Sequence, residues 1–523
     1  MGGTGDGCVR EGDAIKRYIT SAFGTNSPTF ELERKTLLDT DGVLFQEPYV
    51  EPIPSYASGK KLAELEEKDL PGLTKQGRES FKKLVSAGLF KGDFPLYIHQ
   101  QRMLKESLSG KHCVVVTGTG SGKTESFLLP VLATLVGEAT SNNSQWPPAK
   151  PTSLKKWSSS NLPYWDSSRR DIRGESRAAA MRTLILYPMN ALVEDQISRL
   201  RYALDSDEAH QAMDEGLNKN RIRFGRYNGS TPVSGHPYKA DGKSNTSART
   251  SLKTALKLAV TESNSIREQL NAAEAELLSA RANKETSIIE GLEKKVETLL
   301  EEASFIARVE PDSSELFHRW EMQVAPPDLL ITNVSMLSIM LMRHKNPDVS
   351  GDRADSQIFD HTREWLSKDS TRVFQLVVDE LHLYRGSSGT EVGYLIRLLL
   401  DRLGLTPNSP QLRILASSAS LDGENDSTYE FLGGFFGMDK ESAKQRFHIE
   451  SGSLLNTKRV DSGFSLPLAQ ECLAVGDGLE KGVNVDVSTL IQQLKDQADA
   501  SNLIVDAFRR DKVQARALTA VSH

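Results

Sequence analysis

The stretch "VVVTGTGSGKTESFLLP", Val114–Pro130, decides how the rest of the chain is read. A run of valines feeds a glycine-rich turn, and a Lys-Thr pair opens a helical pattern. Gly118, Gly120 and Gly122 let backbone N–H groups wrap a phosphate, where side chains would obstruct the approach. Lys123 is placed to reach the β- and γ-phosphates of a nucleotide, and Thr124 to ligate Mg²⁺. The helix N-terminus adds positive potential. Thr117, Gly118, Thr119, Gly120, Ser121, Gly122, Lys123 and Thr124 are therefore the expected cradle. Thr117 stands where the general pattern has glycine, but it is still a small residue. An ordinary glycine turn would not supply Lys-Thr in this register after a strand.

Working outward, "HCVVVTG", "MRTLILYP", "DLLITN", "FQLVVDE" and "LRILASS" are five short β-branched or leucine runs. Each is followed by a turn signal and then by helical periodicity. That alternation predicts an α/β fold, a parallel sheet with helices on both faces. Upstream of the loop, Gln100 in "LYIHQQRML" is a candidate reader of adenine, whose edge offers one donor and one acceptor to an amide. Gln101 is the alternative.

The fourth run ends on Asp379-Glu380-Leu381-His382. Two carboxylates at the tip of an apolar strand need a cation or a partner, because burying charge is otherwise costly. Asp379 is expected to hold Mg²⁺ through water, with Glu380 close enough to the metal to share it. Glu380 is also expected to position and deprotonate the attacking water of phosphoryl transfer. His382 is placed to sense the γ-phosphate.

In order along the chain, "TGTGSGKT", "LYPMNALVEDQ", "LLITNVSML", "DELH" and "SSASL" resemble motifs I, Ia, Ib, II and III of superfamily 2 DExH helicases. "LILYPMNALVEDQISRLR", "PPDLLITNVSMLSIMLMR" and "DELHLYRGSSGTEVGYLIR" resemble one branch in particular. It contains the MrfA repair helicase and the helicase subunits of the Druantia and DISARM antiphage systems. The resemblance covers roughly residues 40 to 450. It implies a RecA-like P-loop domain that uses ATP and Mg²⁺ and has DNA as a partner. Within such a domain, Pro188, Asn190, Thr332 and Asn333 track the sugar–phosphate backbone of one strand. The place of another strand-tracking loop is taken by "FGRYNGSTP", with Arg226 and Gly229 as its contacts. Ser418 and Ser420 stand where the family couples nucleotide state to strand grip.

A net charge of −6 gives no global attraction for nucleic acid, so any such surface has to be local. Two basic clusters offer one: Lys155, Lys156, Arg169, Arg170, Arg173 and Arg177, interleaved with Trp157 and Trp165, and Lys219, Arg221, Arg223 and Arg226. A solvated loop explains such runs equally well. Cys8, Cys113 and Cys472 form no CxxC pair, which argues against a disulfide framework or a cysteine zinc site. No run of eighteen apolar residues and no signal-peptide core is seen, so a cytoplasmic chain without a membrane span is expected.

The expected organisation is a mostly helical extension over 1–94, the ATP-binding domain over 95–455 and a helical C-terminal segment over 456–523. Insertions interrupt the domain at 137–178, which looks loop-like, and at 236–322. In the latter, Leu256, Ala259, Ile266, Leu270, Ala273, Leu277 and Ala280, then Leu292, Val296, Leu299 and Ala303, recur at threes and fours. That rhythm predicts an antiparallel helical hairpin. No second strand–helix series and no QxxGRxxR-like motif follows "SSASL". The expectation is therefore one lobe of a helicase or translocase, partnered by a second RecA-like lobe or a helicase subunit. A nucleotide-dependent nucleic-acid-binding switch is the alternative.

Overall fold

Apolar runs that must be covered on both faces become the interior strands of one sheet. In the computed structural model the described residues are 19, 27–38, 40 and 56–454, except 91, 93, 119, 152–168, 284, 285, 311 and 422. Among them nine strands form: β1 (Ser58–Lys61), β2 (Pro95–Tyr97), β3 (His112–Val116), β4 (Thr183–Tyr187), β5 (Phe224–Tyr227), β6 (Leu329–Asn333), β7 (Phe374–Val378), β8 (Leu412–Ser418) and β9 (Phe447–Ser451). β1 and β2 make a small antiparallel pair. The other seven lie in the order β5-β6-β4-β7-β8-β3-β9, and every neighbouring pair is parallel.

Period-two alternation divides the strand side chains between two cores. Cys113, Val115, Ile185, Val377 and Leu415 face one apolar cluster, with Phe127, Leu128 and Leu132 of the helix Lys123–Thr140. Val114, Leu184, Leu376, Val378 and Ala416 face the other, with Ile396 and Leu399 of the helix Gly386–Leu403. The predicted α/β class, a parallel sheet with helices on both faces, is what forms. Two strands of this seven-stranded sheet were not read from the sequence, and neither was the β1–β2 pair. "FGRY", expected as part of a loop, is the edge strand β5, and the loop itself begins at Asn228. "FHIES" is β9, which pairs with β3 on the far edge.

The unit that holds this sheet runs from Ser55 to Leu454, and the helix Pro28–Leu38 falls outside it. Within it, Leu65, Leu70, Leu73 and Phe81 join the same core as β3, although residues 1–94 were expected to form an extension. The proline-rich segment before Tyr56 and the whole of 455–523 lie outside the described residues. The helix after the phosphate loop continues through Pro130 to Thr140, so the first residues of the loop-like insertion are helical.

In the second insertion, helices Thr246–Ala282 and Thr286–Phe305 pack through Ile266, Ala273 and Leu299, with Leu270, Val296 and Ala303 at the margin. Arg281–Glu293 at 2.8 Å and Lys295–Glu276 at 3.1 Å cross between them, which fixes the antiparallel sense.

Apart from the half-buried Arg226, the arginines of the basic clusters are neither a solvated loop nor an open nucleic-acid surface. Arg169, Arg170, Arg173, Arg177, Arg221 and Arg223 are all buried. At the centre lies Asp328, just before β6 and fully buried. Its carboxylate accepts from Arg177 Nη1 at 2.7 Å and Nη2 at 2.6 Å, Arg182 Nη1 at 3.0 Å, Arg170 Nη2 at 3.3 Å and the Arg223 backbone N–H at 2.7 Å. Arg182 also bonds Glu138 at 2.7 Å, Arg223 bonds Glu175 at 2.7 Å, and the Arg177 guanidinium lies 3.6 Å over the Trp146 ring. Burial alone would push the Asp328 carboxyl up, but Arg177, Arg170 and Arg182 hold it far below the usual carboxylate range. Burial pulls Arg170 down to about 9, which still leaves it charged at neutral pH. Lys155, Lys156, Trp157 and Trp165 lie outside the described residues.

Candidate active site

Register places the motif-bearing strand ends side by side. Val116 at the end of β3 is opposite Ser418 of β8, and Val378 at the end of β7 is opposite Ala416 of β8. The loops after β3, β7 and β8 therefore leave one carboxyl edge together, the usual location of ligands in open α/β sheets. On the other half of that edge, Tyr187 of β4 is opposite Asn333 of β6, and Tyr227 of β5 is opposite Thr332.

The phosphate loop has the backbone that its sequence demands. Gly120 has φ 74° and Gly122 φ 70°, and a Cβ at Gly122 would lie 2.4 Å from Gln100 Nε2. Conformation thus disfavours a side chain at both positions, and at Gly122 the space is taken as well. Ser121 is buried, and its hydroxyl reaches Thr117 Oγ1 at 2.7 Å and the Gly118 carbonyl at 2.8 Å. Thr119 lies outside the described residues. Lys123 and Thr124 begin the helix Lys123–Thr140, and Thr124 Oγ1 accepts from Gln196 Nε2 at 3.3 Å.

The acidic pair meets this loop directly. Lys123 Nζ is 3.1 Å from Glu380 Oε1 and 3.4 Å from Oε2. Glu380 has φ 50° and ψ 47°, a left-handed backbone that is uncommon outside glycine and concentrated at functional sites. Its other neighbour is His382, with Nδ1 at 3.2 Å from Oε2. Asp379 is buried and accepts from the Ser417 hydroxyl and, at 3.0 Å, from the Glu380 N–H. Burial pushes its carboxyl above the usual range. A carboxylate kept from water in this way is the group a divalent cation would favour. Thr124, Asp379 and Glu380 lie at the same edge, and their oxygen chemistry suits Mg²⁺.

Of the two glutamines, Gln100 is the one at the loop. Its Nε2 donates to the Gly122 carbonyl at 3.2 Å and its Oε1 accepts from the Tyr97 N–H at 2.9 Å. That leaves one N–H and one lone pair of the amide uncommitted. Gln101 turns away and donates to the Lys60 carbonyl at 2.9 Å.

The residues expected to track a strand are not equally available. Asn190 is exposed, Pro188 and Arg226 are half-buried, and Gly229 is exposed with nothing near its absent Cβ. Asn190 accepts from the Asn333 amide, and Asn333 Oδ1 caps the next helix at the Met336 N–H at 2.7 Å. Arg226 is paired with Glu194. Thr332 is fully buried, with its hydroxyl donating to the Tyr227 carbonyl at 2.6 Å, so its side chain does not face solvent. Ser418 is buried, whereas Ser420 is exposed and accepts from Arg385 at its carbonyl, 2.9 Å, and hydroxyl, 3.1 Å.

Four residues at this edge were not singled out from the sequence: Tyr56, Gln196, Arg385 and Ser417. Ser417 carried a faint signal, since in "SSAS" it points opposite to Ser418 and must face one of the layers beside β8. Gln196 sits in the quoted "LVEDQ" but needs the fold to bring it to Thr124.

A glycine loop carrying Lys-Thr and an acidic pair at one edge of a parallel sheet make this the candidate nucleotide site of an α/β domain. The DEAD/DEAH box helicase family model matches residues 97–231, the part of the chain that contains the glycine loop. The likeness extends to Druantia protein DruE of Escherichia coli (strain UMEA 4076-1), 30% identical over 448 residues. That alignment takes in 84% of this chain and 22% of the relative, so the chain spans less than a quarter of that protein's length. Among solved structures, DUF1998 helicase MrfA bound to DNA aligns at TM-score 0.36 and 16% identity, over 82% of this chain and 35% of that one. MrfA bound to DNA and AMPPNP aligns at 0.36 and 15%, over 87% and 39%. The resemblance to helicases of the Druantia type, read from the motifs, is supported by the likeness to DruE. Among the described residues no helix is long and apolar enough to cross a membrane.

Proposed function

We propose that this chain supplies the ATP-hydrolysing lobe of a DExH DNA helicase or translocase. The observation that supports it most is the meeting of Lys123 with Glu380, beside Asp379 and the glycine loop. In this reading the loop amides and Lys123 hold the terminal phosphates, and Gln100 meets the adenine edge with its uncommitted donor and acceptor. Bound Mg²⁺, held by Thr124 and by Asp379 through water, with Glu380 alongside, would supply charge neutralisation on the phosphates. Glu380 accepts the proton of a water that attacks the γ-phosphorus in line. The bond to the bridging oxygen breaks and ADP leaves. His382, within reach of Glu380, reports the phosphate state, and the Ser418–Ser420 turn carries it to the strand-gripping side. There Pro188, Asn190, Arg226, Gly229 and Asn333 contact the backbone of one strand, and Thr332 contributes through its main chain.

The described residues form a single RecA-like sheet. A second lobe would supply the arginines that stabilise the transferred phosphoryl group, a contribution of ~10³ to 10⁵ in rate. Antiphage defence is the favoured setting, given the likeness to a Druantia protein, with DNA repair second. The single sheet also favours a second reading, in which ATP tightens the protein on nucleic acid without processive work. Turnover of ATP with and without single-stranded DNA separates the two. The motor reading expects weak basal hydrolysis that single-stranded DNA accelerates. No DNA-stimulated turnover, with ATP still tightening DNA binding, would favour the switch.

A further inference from the structure

We infer that Tyr56 is a positioning residue of the phosphate loop, and that it couples nucleotide occupancy to the pairing of the two ends of the Ser55–Leu454 unit. The inference rests on the nucleotide-binding reading above. Tyr56 is only 7% exposed, and its hydroxyl accepts the Gly118 N–H at 2.9 Å. Gly118 lies in the ascending limb of the loop, where no regular secondary structure satisfies its amide. The Tyr56 ring meets the rings of Tyr97 and His99 edge-on, with centroids 6.0 and 5.3 Å away, and Tyr97 stacks on His99 at 5.3 Å. His99 Nε2 in turn sits 2.8 Å from the Ser121 carbonyl, and Gln100 holds the Gly122 carbonyl. The aromatic cluster thus fixes the loop at two points, with Tyr56 holding the first, and Gln100 adds a third.

On its other side Tyr56 clasps the chain that leaves β9. Tyr56 and Leu454 form an antiparallel bridge, and the Ala57 N–H donates to the Ser453 carbonyl at 2.7 Å. The Gly452 N–H donates to the carbonyl of Val116, the last residue of β3, at 3.1 Å. A Cβ at Gly452 would lie 2.4 Å from the Tyr56 ring and 2.6 Å from the Thr117 methyl. Only glycine lets this segment pass between Tyr56 and the start of the loop. The loop that would grip phosphate and the residues that bring the chain into and out of this unit therefore share one side chain. Coupling of this kind is reciprocal: a clasp that orders the loop favours nucleotide, and nucleotide favours the clasp.

The test uses the full chain, a non-hydrolysable ATP analogue, and Tyr56→Phe, which keeps the ring and removes the hydroxyl. Loss of one neutral hydrogen bond predicts nucleotide affinity about three- to tenfold weaker. In the wild type, bound analogue should slow hydrogen exchange at the Ala57 and Gly452 amides, and in Tyr56→Phe that slowing should largely vanish. Gly452→Ala, which displaces the ring while keeping the hydroxyl, should lose it as well. If Tyr56→Phe binds the analogue like the wild type and shows the same slowing, the inference is overturned and the nucleotide site survives. If the wild type itself does not bind the analogue, both are overturned.

Discussion

Glu380→Gln is expected to lower ATP turnover by about 10²- to 10⁴-fold, the range over which a positioned general base contributes. The exchange removes the proton acceptor and keeps the size and left-handed backbone demand of the side chain. Nucleotide affinity should not fall. Lys123 is paired with Glu380 at 3.1 Å, in a site where the two side chains are only 12% and 22% exposed. Neutralising the carboxylate releases that lysine for phosphate, so binding should hold steady or tighten. Single-turnover kinetics and calorimetric titration separate the two quantities. A variant that hydrolyses ATP at the wild-type rate would remove Glu380 from the chemistry.

Asp328→Asn is expected to destabilise the unit by about 3–5 kcal/mol, the usual consequence of breaking one side of a buried ion pair. Three guanidinium groups, those of Arg170, Arg177 and Arg182, converge on this carboxylate in a region closed to water. Removing its charge leaves the three close together with less negative charge to offset them, although Arg182 keeps Glu138. The folded carboxyl is held far below its unfolded value. Its stabilisation is therefore complete above the ordinary carboxylate pKa of about 4 and is lost only as pH falls toward the lowered folded value. Thermal melts from neutral pH down to pH 4 should show a large, nearly constant gap between wild type and variant. A gap that closes well above pH 4 would mean that the network does not hold the carboxylate as described.

The grouping of the candidate nucleotide site was legible because each of its residues lies within a few positions of a strand end. Asp379, Glu380 and Lys123 need only a strand, a tight turn and a parallel sheet to meet, and the apolar runs announce all three. The arginine network was not legible, because its organising carboxylate is remote. Asp328 is 151 positions from Arg177 and 158 from Arg170, so a local reading sees only basic residues in a polar stretch. Thr332 shows a related limit. It was assigned a strand contact from its place in the helicase-like motif "LLITNVSML", yet β6 is buried along its whole length and alternation gives no outward face. Tyr56 escaped because its partners, Gly118 and Gly452, both lie far downstream in the sequence. The helical hairpin, by contrast, was readable from its spacing of threes and fours, since two helices with one apolar seam must bury it against each other.

Nucleotide affinity of Lys123→Ala, measured by calorimetric titration against the wild type, bears most directly on all of this. Loss of a charge-assisted contact to the terminal phosphates predicts binding roughly 10- to 100-fold weaker, with the fold retained. Equal affinity in the two proteins would mean that no triphosphate sits between the glycine loop and the acidic strand end.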